Sequence, residues 1–152
     1  MSHSSQANIL LVDDDEAFLG FLSSVLRDEY GHRVVEAKSG EEALEILKNG
    51  RSFFDLIFLD YYMSGMTGLD VLRWLGEKKN ETPVIILTGA GNEQIAVDAM
   101  KLGAYDYIRK EQIDIQHLGT EIEATRERHM FRIARALEEE QTKEILLNKE
   151  AT

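Results

Sequence analysis

The sequence predicts an α/β fold: a doubly wound, five-stranded parallel sheet in the order 2-1-3-4-5, covered by helices on both faces and ending in an elongated last helix. Three observations carry this. Short apolar runs alternate five times with runs of helical period, which is the mark of repeated strand–helix units. The first, third and fourth apolar runs are apolar throughout, as strands buried on both faces are, while the second and fifth are shorter and more polar, as edges are. After the fifth run the helical pattern continues almost to the chain end.

Each element has its own local reason. Ile9-Leu10-Leu11-Val12 is too short for a helix and runs straight into Asp13-Asp14-Asp15. Phe18, Leu19, Leu22, Val25 and Leu26 then recur at helical spacing. Arg33 to Ala37 reads as the second strand. Ser39 caps the second helix, with Glu42 three residues on in a capping-box pattern, and Ala43, Leu44 and Leu47 form its apolar face. Asn49-Gly50 stops it. Asp55 to Asp60 is the third strand, closed by acids at both ends; Leu69, Val71, Leu72 and Leu75 mark a helix ending near Gly76. Pro83, the single proline, opens the strand Val84 to Thr88, where a missing N–H is tolerated. Ile95, Ala96, Ala99, Met100 and Leu102 make the fourth helix, ended by Gly103, and Tyr105 to Arg109 the fifth strand. From about Asp114 to about Leu147 the chain reads as one helix.

The 152 residues suffice for one domain and an appendage. We expect a disordered terminus over residues 1–7, a domain over 8–120 and a helical extension over 121–152. A net charge of −11 argues against a nucleic-acid surface. The absence of cysteine excludes disulfides and thiolate metal sites and fits a reducing, cytoplasmic setting. No apolar run approaches the ~20 residues needed to span a bilayer, so no membrane association is expected.

In open α/β sheets, sites form outside the carboxyl ends of the strands. There the sequence places Asp13, Asp14 and Asp15 after strand one, Asp60 after strand three, Thr88 after strand four and Lys110 after strand five. Carboxylates this close repel unless something neutralises them, and a hard divalent cation suits an all-oxygen site. Carboxylate, metal, hydroxyl and lysine together fit phosphoryl chemistry, with a carboxylate as nucleophile and the cations stabilising the transferred group. Asp60, alone at the end of the central strand, is the best nucleophile. His3, His32, His117 and His129 show no metal-ligand spacing.

These residues resemble the receiver domain of two-component response regulators, a flavodoxin-like fold, over about residues 7–120. Four motifs carry the resemblance: Ile9 to Asp15, the loop Asp60-Tyr61-Tyr62-Met63-Ser64-Gly65-Met66-Thr67-Gly68, Leu87-Thr88-Gly89, and Tyr107-Ile108-Arg109-Lys110. The resemblance implies that Asp60 accepts a phosphoryl group from a phosphohistidine on a sensor histidine kinase or phosphotransfer protein. It implies Mg²⁺, with Mn²⁺ as a substitute, held by Asp13, Asp14, Asp60 and the backbone carbonyl of Tyr62. Thr88 and Lys110 would contact the phosphoryl group, and Thr88 and Tyr107 would form the switch. The face made by the fourth helix, fifth strand and last helix would then control a partner or dimerisation. Catalysis would be limited to self-catalysed phosphotransfer and autodephosphorylation.

Three positions depart from the family pattern. Ser64 stands where proline is common, and the loop can still turn through Gly65. Gly89 replaces a common Ala or Ser and should loosen the loop that follows. Glu111 stands where the family has a cis proline; a cis bond before a non-proline residue costs roughly 2.5–4 kcal/mol, so a trans bond and a differently shaped loop are expected. These departures keep open a phosphorylation-independent, receiver-like interaction module. A Mg²⁺-dependent phosphohydrolase is the third reading, weakened by Tyr62 where such enzymes want an acid. Beyond the domain, Met130, Ile133, Ala134, Leu137, Gln141 and Ile145 form a stripe that needs a partner, a second copy among them. The stretch after residue 120 is too short for a DNA-binding or catalytic output domain.

Overall fold

The computed structural model describes residues 6–50, 53–89 and 93–150. Its sheet has five parallel strands in the order β2-β1-β3-β4-β5: β1 (Asn8–Val12), β2 (Arg33–Ala37), β3 (Leu56–Asp60), β4 (Val84–Thr88) and β5 (Asp106–Arg109). The helices are α1 (Glu16–Ser24), α2 (Gly40–Lys48), α3 (Gly68–Glu77), α4 (Glu93–Lys101) and α5 (Ile115–Glu150). The predicted class and strand order hold. Residues 1–5 of the expected disordered terminus lie outside the described residues; Gln6 and Ala7 are tied down, Gln6 through Nε2 to the Gly31 carbonyl and Ala7 through its N–H to Nδ1 of buried His32.

β3 and β4 are buried along their whole length and β1 from Ile9 onward. Alternate residues feed two cores. Leu10, Val12, Ile57, Leu59, Val84 and Ile86 face α2, α3 and α4 on one side. Ile9, Leu11, Phe58, Ile85 and Leu87 meet α1 and the start of α5 on the other. Each fully buried aliphatic side chain contributes about 1.5–3 kcal/mol, so the strand ends that carry the candidate site rest on a stiff scaffold. Gly119 lets α5 approach: a Cβ there would fall 2.4 Å from the Tyr30 ring, whose hydroxyl donates to the Ile115 carbonyl.

Several boundaries differ from expectation for local reasons. α1 continues as a π-helical turn, Val25–Glu29. α3 runs one residue past Gly76, and its end is closed by Lys79 in the left-handed region at φ 55°, with the Lys79 and Asn80 N–H groups donating back to Gly76 and Leu75. At α2, Ser39 caps the Glu42 N–H, but the Glu42 carboxylate takes the Lys38 N–H rather than that of Ser39. Both arms of a capping box occur instead at α3, between Thr67 and Asp70.

Candidate phosphoryl and metal site

The Asp13 N–H donates to the Ala37 carbonyl at 3.0 Å, extending the β1–β2 pairing one residue and fixing where the acidic segment leaves the sheet. Asp13 is fully buried, and its Oδ1 accepts the Asp15 N–H at 2.9 Å. Asp14 is exposed and its Oδ2 accepts the Ser64 N–H at 3.1 Å, joining the loop after β1 to the loop after β3. Asp15 does not join this cluster. It is the N-cap of α1, its Oδ1 accepting the Ala17 and Phe18 N–H groups, so the local need of a helix start outcompetes the acidic patch.

Asp60 ends β3 with only 3% of its surface exposed. Lys110, the first residue after β5, puts its Nζ 2.7 Å from Asp13 Oδ2 and 3.3 Å from Asp60 Oδ1, while lying 4.6 Å from the centroid of the Phe18 ring. Burial and the Asp13 charge push the Asp60 pKa up to about 7, with Lys110 pulling against them. Burial pulls down on the Lys110 ammonium, but Asp13 and Asp60 outweigh it and hold its pKa above the ordinary lysine value. Two carboxylates around one ammonium leave an excess negative charge in a poorly hydrated place.

That excess fits a divalent cation. Carboxylate oxygens of Asp13, Asp14 and Asp60 lie within 4.8 Å of one another. Buried Asp13 Oδ2 has the ion pair to Lys110 and no directed hydrogen bond, which leaves lone-pair capacity for a metal. An all-oxygen set with an open side suits Mg²⁺ with its remaining waters.

Thr88 is buried at the end of β4, and the register sets Asp60 beside Leu87 and Thr88 beside Arg109. Tyr107 on edge strand β5 is 43% exposed. Tyr62 is 60% exposed and its ring stacks edge-on against Tyr61, centroids 4.6 Å apart. Gly65 has φ +81°, the turn expected in place of proline. No peptide bond among the described residues is cis, and Lys110–Gln112 form a 3₁₀ turn that reshapes the β5–α5 loop. Of the loop expected to loosen after Gly89, residues 90–92 lie outside the described residues.

Sequence reasoning missed three supports. Glu41, on the first turn of α2, accepts the Met66 N–H at 3.1 Å and so anchors the loop after Asp60. The Thr67–Asp70 box fixes where α3 starts, and its Thr-x-x-Asp spacing was readable. Gly68 brings α3 against the end of β3: a Cβ there would fall 2.6 Å from the Asp60 carbonyl oxygen. His129, assigned nothing from sequence, pairs with Tyr105.

A doubly wound parallel sheet with an acidic pocket, a lysine and a hydroxyl at its carboxyl edge is a flavodoxin-like α/β protein with a candidate cation site. Comparison with family models matches the response regulator receiver domain over residues 9–123, and the chain belongs to that family. Receiver domains are signalling modules of two-component systems that bind Mg²⁺ through such an acidic pocket and are generally non-enzymatic. The chain is 41% identical over 102 residues to the transcriptional regulatory protein CpxR of Escherichia coli K12, covering 67% of this chain and 42% of that protein. It is 35% identical over 123 residues to ZraR of the same organism, covering 81% and 27%. The chain thus spans under half the length of these curated relatives. A receiver domain from Clostridium thermocellum superposes with a TM-score of 0.74 at 32% identity, covering 82% of this chain and 98% of that one. NtrX from Brucella abortus gives 0.78 at 29% identity, covering 87% and 30%. No described helix is long and apolar enough to cross a membrane.

Proposed function

We propose that residues 8–120 act as a phosphoacceptor receiver that switches its α4–β5–α5 face to control a partner or dimerisation. The observation that carries this reading is Asp60: a buried strand-end carboxylate 3.3 Å from Lys110 and grouped with Asp13 and Asp14. An Asp60 oxygen attacks the phosphorus of a phosphohistidine; the P–O bond forms, the P–N bond breaks, and the imidazole nitrogen takes up a proton. Mg²⁺, or Mn²⁺ in its place, held by Asp13, Asp14, Asp60 and the Tyr62 backbone carbonyl, would supply positive charge to the phosphoryl oxygens. Lys110 neutralises the same charge from the other side, and Thr88 donates its hydroxyl to a phosphoryl oxygen. Tyr107 turns inward when Thr88 moves, and the α4–β5–α5 face changes shape for a partner or a second copy.

In this reading the phosphodonor is a sensor histidine kinase or a histidine phosphotransfer protein. The chain works in the cytoplasm through protein contacts, without nucleic acid or membrane, and turns over no substrate beyond its own phosphoryl group. Incubation with Mg²⁺ and acetyl phosphate, followed by intact mass, should show one phosphoryl group on the wild type and none on Asp60→Asn. Beryllofluoride should bind the wild type alone. An unmodified wild-type protein would point to the phosphorylation-independent module instead.

A further inference from the structure

α5 is docked at one end and exposed at the other. Leu118, Ile122 and Thr125 are buried against the domain, His129 is half-buried, and every residue from Met130 to Glu150 is exposed. Side-chain bonds from His129 and Arg132 on α5 converge on Tyr105, in the turn before β5. Its hydroxyl lies 2.9 Å from His129 Nδ1. Arg132 Nη1 donates to the same hydroxyl at 3.4 Å, and its guanidinium lies 5.7 Å from the Tyr105 ring centroid. The imidazole meets the ring edge-on at 5.7 Å. Burial lowers the His129 pKa and favours the neutral ring; in its Nε2–H tautomer Nδ1 accepts from Tyr105, and the chain of bonds then runs Arg132 to Tyr105 to His129. A groove of about 250 Å³ adjoins this cluster, between Leu72, Leu75, Val84, Leu102 and Ile133, so polar rather than packed contacts hold the helix here.

Tyr105 is also tied into the sheet, its N–H donating to the Val84 carbonyl at 2.9 Å. The strands that carry Thr88 and Lys110 at their carboxyl ends therefore meet α5 at their amino ends through the Tyr105 side chain. We propose that Tyr105, His129 and Arg132 form a clasp that couples the β4–β5 pair to the exposed length of α5, so that a shift of these strands swings the extension as a lever. From His129 to Leu147 the helix is about 27 Å long, so a 10° tilt at the clasp moves Leu147 by about 5 Å. The coupling is a property of the clasp; its being driven by phosphorylation rests on the function proposed above.

Two measurements on the full chain separate these. Amide hydrogen exchange without phosphodonor should quicken about fivefold over residues 127–137 in Tyr105→Phe and in His129→Leu, and less in His129→Gln, which keeps an acceptor. Unchanged exchange in Tyr105→Phe overturns the clasp. Because the chain has no cysteine, spin labels can be placed uniquely at Glu45→Cys and Leu147→Cys. Their separation should shift on beryllofluoride binding in the otherwise wild-type chain and stay fixed or broaden in Tyr105→Phe. An equal shift in both, or no shift in either with beryllofluoride bound, overturns the lever. Failure of beryllofluoride to bind refutes the receiver reading instead, and the exchange result then decides the clasp alone.

Discussion

Asp60 holds its negative charge at a cost, because it is buried beside Asp13 and its pKa rises to about 7. In the metal-free protein the folded state therefore keeps a proton that the unfolded chain releases near its ordinary value of about 4. The Asp60 contribution to stability therefore falls as pH rises from about 4 to about 7 and then levels off. Asp60→Asn lacks this term, so chemical denaturation in EDTA should show the variant gaining on wild type by roughly 2–4 kcal/mol between pH 4 and pH 8. Added Mg²⁺ should narrow the gap at pH 8, since a ligand of the folded state stabilises it by mass action. A second prediction concerns Tyr62. Its ring, two residues after the proposed phosphoacceptor Asp60, leans on Tyr61, where it can hinder an attacking water. Tyr62→Asn should speed decay of phospho-Asp60 about threefold, roughly 0.7 kcal/mol of barrier; equal lifetimes would exclude the shielding role.

At the scale of elements, α3 contains two glycines with opposite meanings. Gly68 sits where a Cβ would overlap the Asp60 carbonyl, and its N–H donates to Tyr61 at 3.0 Å. Gly76 faces nothing within 4 Å. Thermal unfolding should show Gly68→Ala destabilised by about 1–3 kcal/mol through a forced backbone shift, with phosphorylation slowed because that shift falls on Asp60. Gly76→Ala should be neutral or stabilised by about 0.5 kcal/mol, from the lower entropy of the unfolded chain and better helix propensity. This contrast also marks how far the sequence could be read. Apolar runs located β1, β3 and β4, because central strands buried on both faces leave no alternative period, while the edges β2 and β5 were read from their place in the strand–helix alternation. Of the candidate site residues, Asp13, Asp60, Thr88 and Lys110 were legible because each stands at a strand end or just past it. Asp15 and Gly68 were not, since a carboxylate can cap a helix as readily as it can join a charge cluster, and close backbone approach leaves no mark in composition.

At the scale of the whole molecule, the length of α5 was readable from its continuous pattern, but its attachment was not. Tyr105 and His129 are 24 residues apart, and neither carries a motif. The stripe of Met130, Leu137 and Ile145 is exposed, so within one copy these residues contribute almost nothing to folding, while Leu118 and Ile122 are part of the core. Truncation after Ala136 should therefore leave the midpoint of thermal unfolding within about 1 °C of the full chain at low concentration. Truncation after Thr125 removes His129 and Arg132 as well and should lower it by about 3 °C or more, as expected for the loss of roughly 1 kcal/mol. The stripe has its own signature. If it pairs with a second copy, the full chain gains stability as concentration rises and the Ala136 truncation does not, because only association makes the midpoint depend on concentration. A full-length midpoint that stays constant across a wide range of concentration would leave the stripe free for a different protein.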